Sequence, residues 1–153
     1  MMINRDAAFW DGVANHPEVA PFVFMGADKV SLAGLVESDG CLPLASENGG
    51  LLFVKMDLVG LVRELHTMYR PEGWGREVAK NAPIFMNEAF KHCSLITTHE
   101  QEGRWRTRPP KSHGWKPAGD YKDCGLRYKL KLWILPKEAW YASPVGRRFE
   151  PCL

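Results

Sequence analysis

No apolar run in this chain approaches the length of a bilayer span, so a membrane-crossing helix is not expected. No Cys-x-x-Cys pair is present either. The four cysteines, Cys41, Cys93, Cys124 and Cys152, stand far apart, which removes the metal-ribbon and thioredoxin patterns. Charge of one dominant sign is also missing: a net +2 over 153 residues argues by itself for neither nucleic acid nor membrane. Internal repeats and low-complexity tracts are absent. Acidic and polar residues such as Asp6 and Asp11 interrupt the start, so no secretory leader is expected. The expected compartment is reducing cytoplasm, with the cysteines as free thiols that mostly fill core.

What is present is the composition of an ordinary globular protein, 45% hydrophobic and 25% charged. The length suits one domain over residues 1–153, able to bury a core without staples. Residues 6–13 read as a short amphipathic helix with Asp6 as N-cap. His16-Pro17 and Ala20-Pro21 break it, and residues 22–36 are mixed. Residues 41–45 and 51–56 read as a hairpin about the turn signal Ser46-Glu47-Asn48-Gly49-Gly50. A strand over 61–69 puts Glu64, His66 and Met68 on one face and Leu65, Thr67 and Tyr69 on the other. Residues 75–91 carry a helical stripe, with Pro83 expected to kink it. A strand over 94–98 precedes a polar, proline-bearing stretch, 100–122, with no obvious regular element. Residues 128–135 alternate cleanly as a strand, 137–140 start a helical turn, and the tail from Ser143 reads as irregular.

Strand, glycine turn, helix is a physical recipe for holding phosphate. First-turn N–H groups are unpaired, the macrodipole adds positive charge, and glycines let the backbone approach closely. Gly73 and Gly75 are placed for this, flanked by Arg70 and Arg76. An ordinary tight turn would use the same residues. Element order adds to the argument, and here the chain resembles the GNAT family, N-acetyltransferases that use acetyl-CoA. Arg70-Pro71-Glu72-Gly73-Trp74-Gly75 matches the family signature [Gln/Arg]-x-x-Gly-x-[Gly/Ala] in full, directly after a strand and at a helix start. His113-Gly114-Trp115-Lys116 with Ala118-Gly119-Asp120-Tyr121 is similar to the Gly-Phe pair before the family's last hairpin. The strand text from Glu64 to Pro71 also resembles acetyltransferase-like proteins of tailed phages and prophages. The resemblance spans roughly residues 41–140.

It implies an α/β (α+β) GNAT fold: a central, mixed, mostly antiparallel twisted sheet with helices on both faces. It implies acetyl-CoA as co-substrate, an amine as acceptor and no metal, and it admits a homodimer. The amides of Gly73, Trp74, Gly75 and Arg76 would hold the pyrophosphate. The strand end Met68-Tyr69-Arg70 would pair with pantetheine, one amide polarising the thioester carbonyl. An amine must lose a proton before it attacks. Glu64 and His66 share a face with Met68; the family often uses a glutamate on this strand, and histidine titrates in the right range. Both also suit plain structural roles. The departing thiolate needs a proton, which many relatives supply from a tyrosine on a helix before the Gly-Phe pair. Between Thr98 and Trp115 this chain has Pro109-Pro110 and no tyrosine, leaving Ser112, His113 or the distant Tyr121 as stand-ins.

Arg104, Arg106, Arg108 and Lys111 form a basic cluster, either a solvated loop or a lip beside an anion site. With Trp105 it also suits stacking on single-stranded nucleic acid. The alternatives to amine acetylation are therefore a non-catalytic GNAT-like phage structural or interaction protein and an enzyme acting on a nucleic-acid base amine.

Overall fold

The structure, a computed structural model, describes residues 2–23 and 31–149. Most of the expected elements are present. Helix α1 (Ala7–Ala14) begins where Asp6 accepts a hydrogen bond from the Ala8 amide, and it buries Trp10, Val13 and Ala14. Two four-residue helices follow, α2 (Ala20–Val23) and α3 (Ala33–Val36); residues 24–30 of the stretch read as mixed lie outside the described residues.

Strands β1 (Cys41–Ser46) and β2 (Gly49–Lys55) form the hairpin, but its turn is shorter than the sequence signal. Ser46 already pairs with Gly49, so Gly49 and Gly50 belong to the strand. They are glycines because of crowding: a Cβ on Gly50 would meet the Leu44 carbonyl at 2.1 Å and the Trp10 ring at 2.8 Å. Strand β3 (Val62–Tyr69) pairs antiparallel with β2 along its whole length. Helix α4 (Arg76–Ala89) runs unbroken through Pro83. Strand β4 (Leu95–Gln101) returns parallel to β3.

The stretch expected to be irregular is organised. β4 extends three residues further than expected, because His99, Glu100 and Gln101 keep a ladder with β6 (Leu130–Pro136) down to the Gln101–Leu130 pair. Charged strand residues hid this, and side-chain partners satisfy them in the fold. One-turn 3₁₀ segments occupy Trp105–Thr107 and Lys111–His113, and β5 (Lys116–Pro117) edges the sheet. The tail also differs from expectation: after α5 (Lys137–Ala142), a 3₁₀ turn at Gly146–Phe149 is fixed by Ser143, whose Oγ accepts from the Gly146 amide.

The sheet order is β1-β2-β3-β4-β6-β5, antiparallel except at β3–β4. One face packs Leu65, Tyr69, Ile96 and Trp133 against α4 and α5, and the other packs Leu52 and Met68 against α1 and α3. The mixed, mostly antiparallel sheet with helices on both faces is therefore as expected. Cys41 and Cys93 are buried and Cys124 is exposed, all as free thiols; Cys152 lies outside the described residues. Among the described residues no helix is long and apolar enough to cross a membrane.

A candidate active-site cleft where the sheet splits

β3 and β4 are paired only at Val62–Leu95, Arg63–Ile96 and Glu64–Thr97, after which they diverge. Beyond that point β3 runs on to Tyr69 and β4 to Gln101. Arg70 N donates to Asn48 O, and Met56 N donates to Val62 O, so even-numbered residues of β3 use their main-chain groups on β2. Those of Leu65, Thr67 and Tyr69 turn toward the gap. Leu65 O accepts from Thr98 Oγ1 and Tyr69 O from Trp74 Nε1, both at 3.0 Å, and the main chain of Thr67 lies between them. A cavity of about 1180 Å³ opens here and reaches both faces of the sheet.

On the α1–α3 face, Glu64 sits between two imidazoles. Nε2 of His66 is 3.3 Å and Nδ1 of His99 3.6 Å from its Oε1. The His99 imidazole beside it holds the Glu64 carboxyl below its ordinary range; burial opposes this, and the charges of both histidines assist it. The His66 ring is half accessible, yet cleft walls surround it, and this desolvation pushes its pKa down and favours the neutral ring. All three side chains line the cavity. His99 was not a sequence candidate. The signal existed in the strand parity, because Thr97 pairs with Glu64 and His99 is one full strand repeat beyond it, but a strand ended at Thr98 leaves that histidine unplaced.

On the α4–α5 face the two motif glycines differ. A Cβ on Gly73 would stand 2.6 Å from the Tyr69 ring and 3.0 Å from Asn48 Cβ, so this glycine serves packing. Gly75, at φ +92, has nothing within 4 Å of its Cβ position and lines the cavity. It is the N-cap of α4 and has no side chain to cap the first-turn amides. Glu77, the second residue of α4, is drawn away to the β1–β2 turn, where Ser46 Oγ and the Asn48 amides donate to it.

The remaining sequence candidates divide. Met68, Trp74 and Ser112 line the cavity alongside Glu64, His66 and Gly75. Tyr69 is buried, its hydroxyl paired with Ser46 Oγ at 3.0 Å. Arg70 turns to α1, with its guanidinium 5.7 Å from the Phe9 ring, and Arg76 lines a separate surface hollow with Glu72 and Glu77. Tyr121 is not at the cleft; its hydroxyl donates to Glu100 at 2.6 Å. His113 lines the cavity, and burial pushes it down to about 4, leaving it neutral near pH 7.

The basic cluster divides, and only Arg106 has the placement of a lip beside an anion site. Arg104 lies between the rings of Phe22 and Tyr128, at 4.4 and 4.3 Å, and donates to the Tyr128 hydroxyl. Arg108 donates to Glu100. Arg106 lines the cavity with its guanidinium 5.4 Å from the Trp74 ring and 5.5 Å from that of Trp105. It has no carboxylate within ion-pair distance among the described residues. The cleft therefore joins a cation and uncapped amides on one face to a carboxylate on the other. Despite the nearness of Glu64, His66 and His99, no group of described residues has a geometry that could hold a metal ion.

No protein-family model matches the chain, and no curated protein does. Solved structures do. A GNAT-family acetyltransferase from Bacillus anthracis superposes with TM-score 0.67 at 13% identity, over 90% of this chain and 93% of that one. Spermidine N-acetyltransferase from Vibrio cholerae, in complex with CoA and spermine, gives 0.64 at 13% identity over 92% and 95%. A probable acetyltransferase gives 0.52 at 20% identity over 63% of this chain, and the match spans only 58% of that protein's length. At such identities the likeness establishes architecture. The chain has the GNAT fold.

Proposed function

We propose that this protein is an acyltransferase that moves an acetyl group from acetyl-CoA to a primary amine. The observation that carries this reading is the split between β3 and β4, which joins an uncapped helix start on one face to Glu64 on the other. The pyrophosphate would lie on the amides of Gly75 and Arg76, where the α4 dipole favours an anion; the amides of Gly73 and Trp74, also suggested by the motif, already donate to Arg70 O and Pro71 O. Arg106 supplies the counter-charge from across the cleft, a role the sequence suggested for Arg70 and Arg76. The pantetheine arm would run along the gap and take the main-chain groups of Thr67 and the Tyr69 amide in place of a strand, the Tyr69 carbonyl being held by Trp74 Nε1. An amide there, pointing at the thioester oxygen, stabilises the charge that grows during attack.

The amine enters from the α1–α3 face. Its nitrogen bonds to the carbonyl carbon as its proton passes to Glu64, directly or through water. His99 and His66 fix the carboxylate and offer the proton a way to solvent, being 39% and 50% exposed. The C–S bond then breaks and the thiolate takes a proton. His113 is neutral and a poor donor at that pH, so the proton is returned by water or by the protonated Glu64 through solvent, and Ser112, which lines the cavity, can only donate a hydrogen bond to the thiolate.

Calorimetry tests the reading. Acetyl-CoA and CoA should bind, and absence of binding by the folded protein ends the proposal. Gly75→Asp should abolish binding. Its Cβ meets open space, but φ +92 with ψ −104 is backbone that only glycine adopts readily, so Gly75→Ala, which carries the same strain without the charge, is the control and should bind more tightly than the aspartate variant. Arg106→Gln should weaken acetyl-CoA about tenfold, the order expected for one lost charge-assisted contact, and leave S-acetylpantetheine unchanged. An equal loss for both ligands would remove Arg106 from the phosphate site.

A further inference from the structure

The amine side of the cleft has one carboxylate. Among the described residues lining the cavity, Glu64 is the sole acid, whereas Arg106, Arg108 and Arg148 all line it. Beyond Glu64, the histidines His66 and His99 beside it and Gln101, that side is apolar. β6 residues opposite His99 and Gln101 share their face, which adds Leu130 to a wall made by Phe22 and Val23 of α2 and by Leu32 and Leu35 at α3. Two contacts pin α2 in this position. Gln101 Nε2 donates to Phe22 O at 2.8 Å, and the Arg104 guanidinium is held between the Phe22 and Tyr128 rings. The wall is thus built with a fixed positive charge behind it.

We infer that the acceptor is a monoamine: one primary ammonium carried on an apolar body, with no second positive charge. This rests on the proposed acetyl transfer and names the substrate for that site. A single ammonium finds its partner in Glu64 before deprotonation, and its hydrocarbon part covers apolar wall that is otherwise wet. A second ammonium on the same chain would lie against Leu32, Leu35 and Leu130, unpaired and close to Arg104. Burying an unpaired charge is opposed far more strongly than burying a methyl group is favoured. A polyamine site needs carboxylates at intervals, and the described wall supplies none beyond Glu64.

A matched pair of acceptors gives the test. With saturating acetyl-CoA and the full chain, thiol release is followed with hexylamine and with 1,6-diaminohexane, which differ by one amine at the far end; phenethylamine and spermidine extend the pair. The expected result is a kcat/KM at least tenfold higher for each monoamine. Equal or better use of the diamine or of spermidine overturns the inference. So does failure of every amine in a preparation that binds CoA by calorimetry, whereas absence of CoA binding is failure of the parent reading. Val23→Glu adds a second carboxylate at a half-buried wall position and should narrow the ratio. Discrimination that does not move would overturn the charge argument.

Discussion

Glu64 on β3 and Glu100 on β4 are both carboxylates drawn out of water near the divergence of the two strands, and both titrate below the ordinary range. Their surroundings differ in one respect. Glu100 is 1% exposed and saturated: Tyr121 Oη and Arg108 Nε donate to its Oε2 and Trp133 Nε1 to its Oε1. Burial pushes its pKa up, and those three donors outweigh the burial. Glu64 keeps a side chain 19% exposed on the cavity, with partners that are histidines and can themselves take or pass on a proton. Depressed acidity alone would class the two together. Free oxygen surface and the nature of the partners separate them: one carboxylate ties the loop after β4 to β6, and the other is open to a substrate.

The largest effect belongs to Glu64. Glu64→Gln keeps the shape and removes the base, so kcat with a good amine should fall by roughly 10²–10³ at neutral pH. The thermal midpoint should stay within about 2 °C of wild type, as expected for an isosteric change at a polar position that opens on the cavity. Wild-type turnover in this variant would dissolve the contrast with Glu100. His99→Gln should fall between, because His99 positions the carboxylate, and its pH–rate profile should shift as the depression of Glu64 relaxes toward higher pH.

How much of this contrast was legible in the sequence follows from what each residue depends on. Local pattern carried α1 with its Asp6 cap, β3 with Glu64 and His66 on one face, and the turn into α4. Those rest on periodicity and on capping chemistry within a few residues. The amine-side partner His99 and the saturation of Glu100 rest on where β4 ends and on partners 21 and 33 residues away. Arg70 and Arg76 stood beside the motif in sequence, yet helical and turn geometry send them to Phe9 and to the outer hollow. Arg106, distant in the chain, reaches the glycine turn through the Trp74 ring. Contacts closed by long loops carry no short-range signal, which is why the fold was more legible than the site.

Glu100 should show the complementary phenotype. In Glu100→Gln an amide nitrogen faces either Trp133 Nε1 or the Tyr121–Arg108 pair, donor against donor, and a buried group loses its partner. A loss of about 2 kcal/mol is expected, or roughly 4–8 °C in the melting midpoint, with kcat/KM at permissive temperature within about threefold of wild type. The pH dependence follows from the same donors. Because its folded pKa is depressed, Glu100 contributes stability in full above the ordinary carboxylate value of 4.5 and loses it as pH falls through the lower folded value. Denaturant titrations between pH 6 and 3 should show wild-type stability falling on the acid side, and a shallower fall in Glu100→Gln. Parallel slopes would mean that Glu100 is not charged in the fold.

Tyr121 gives the smallest effect and the sharpest check on the division of labour. As a stand-in acid for the departing thiolate, it would take part in chemistry, and Tyr121→Phe would lower kcat by an order of magnitude or more. Its hydroxyl is instead the donor at 2.6 Å to Glu100, away from the cavity. The expected cost is therefore one hydrogen bond to a carboxylate that keeps Trp133 and Arg108, about 1 kcal/mol of stability. Turnover should stay within twofold and the pH–rate profile should keep its shape. A basic limb that vanishes in Tyr121→Phe would return the tyrosine to the reaction, and the Glu100 network would then have to reach the cleft in the coenzyme-bound state.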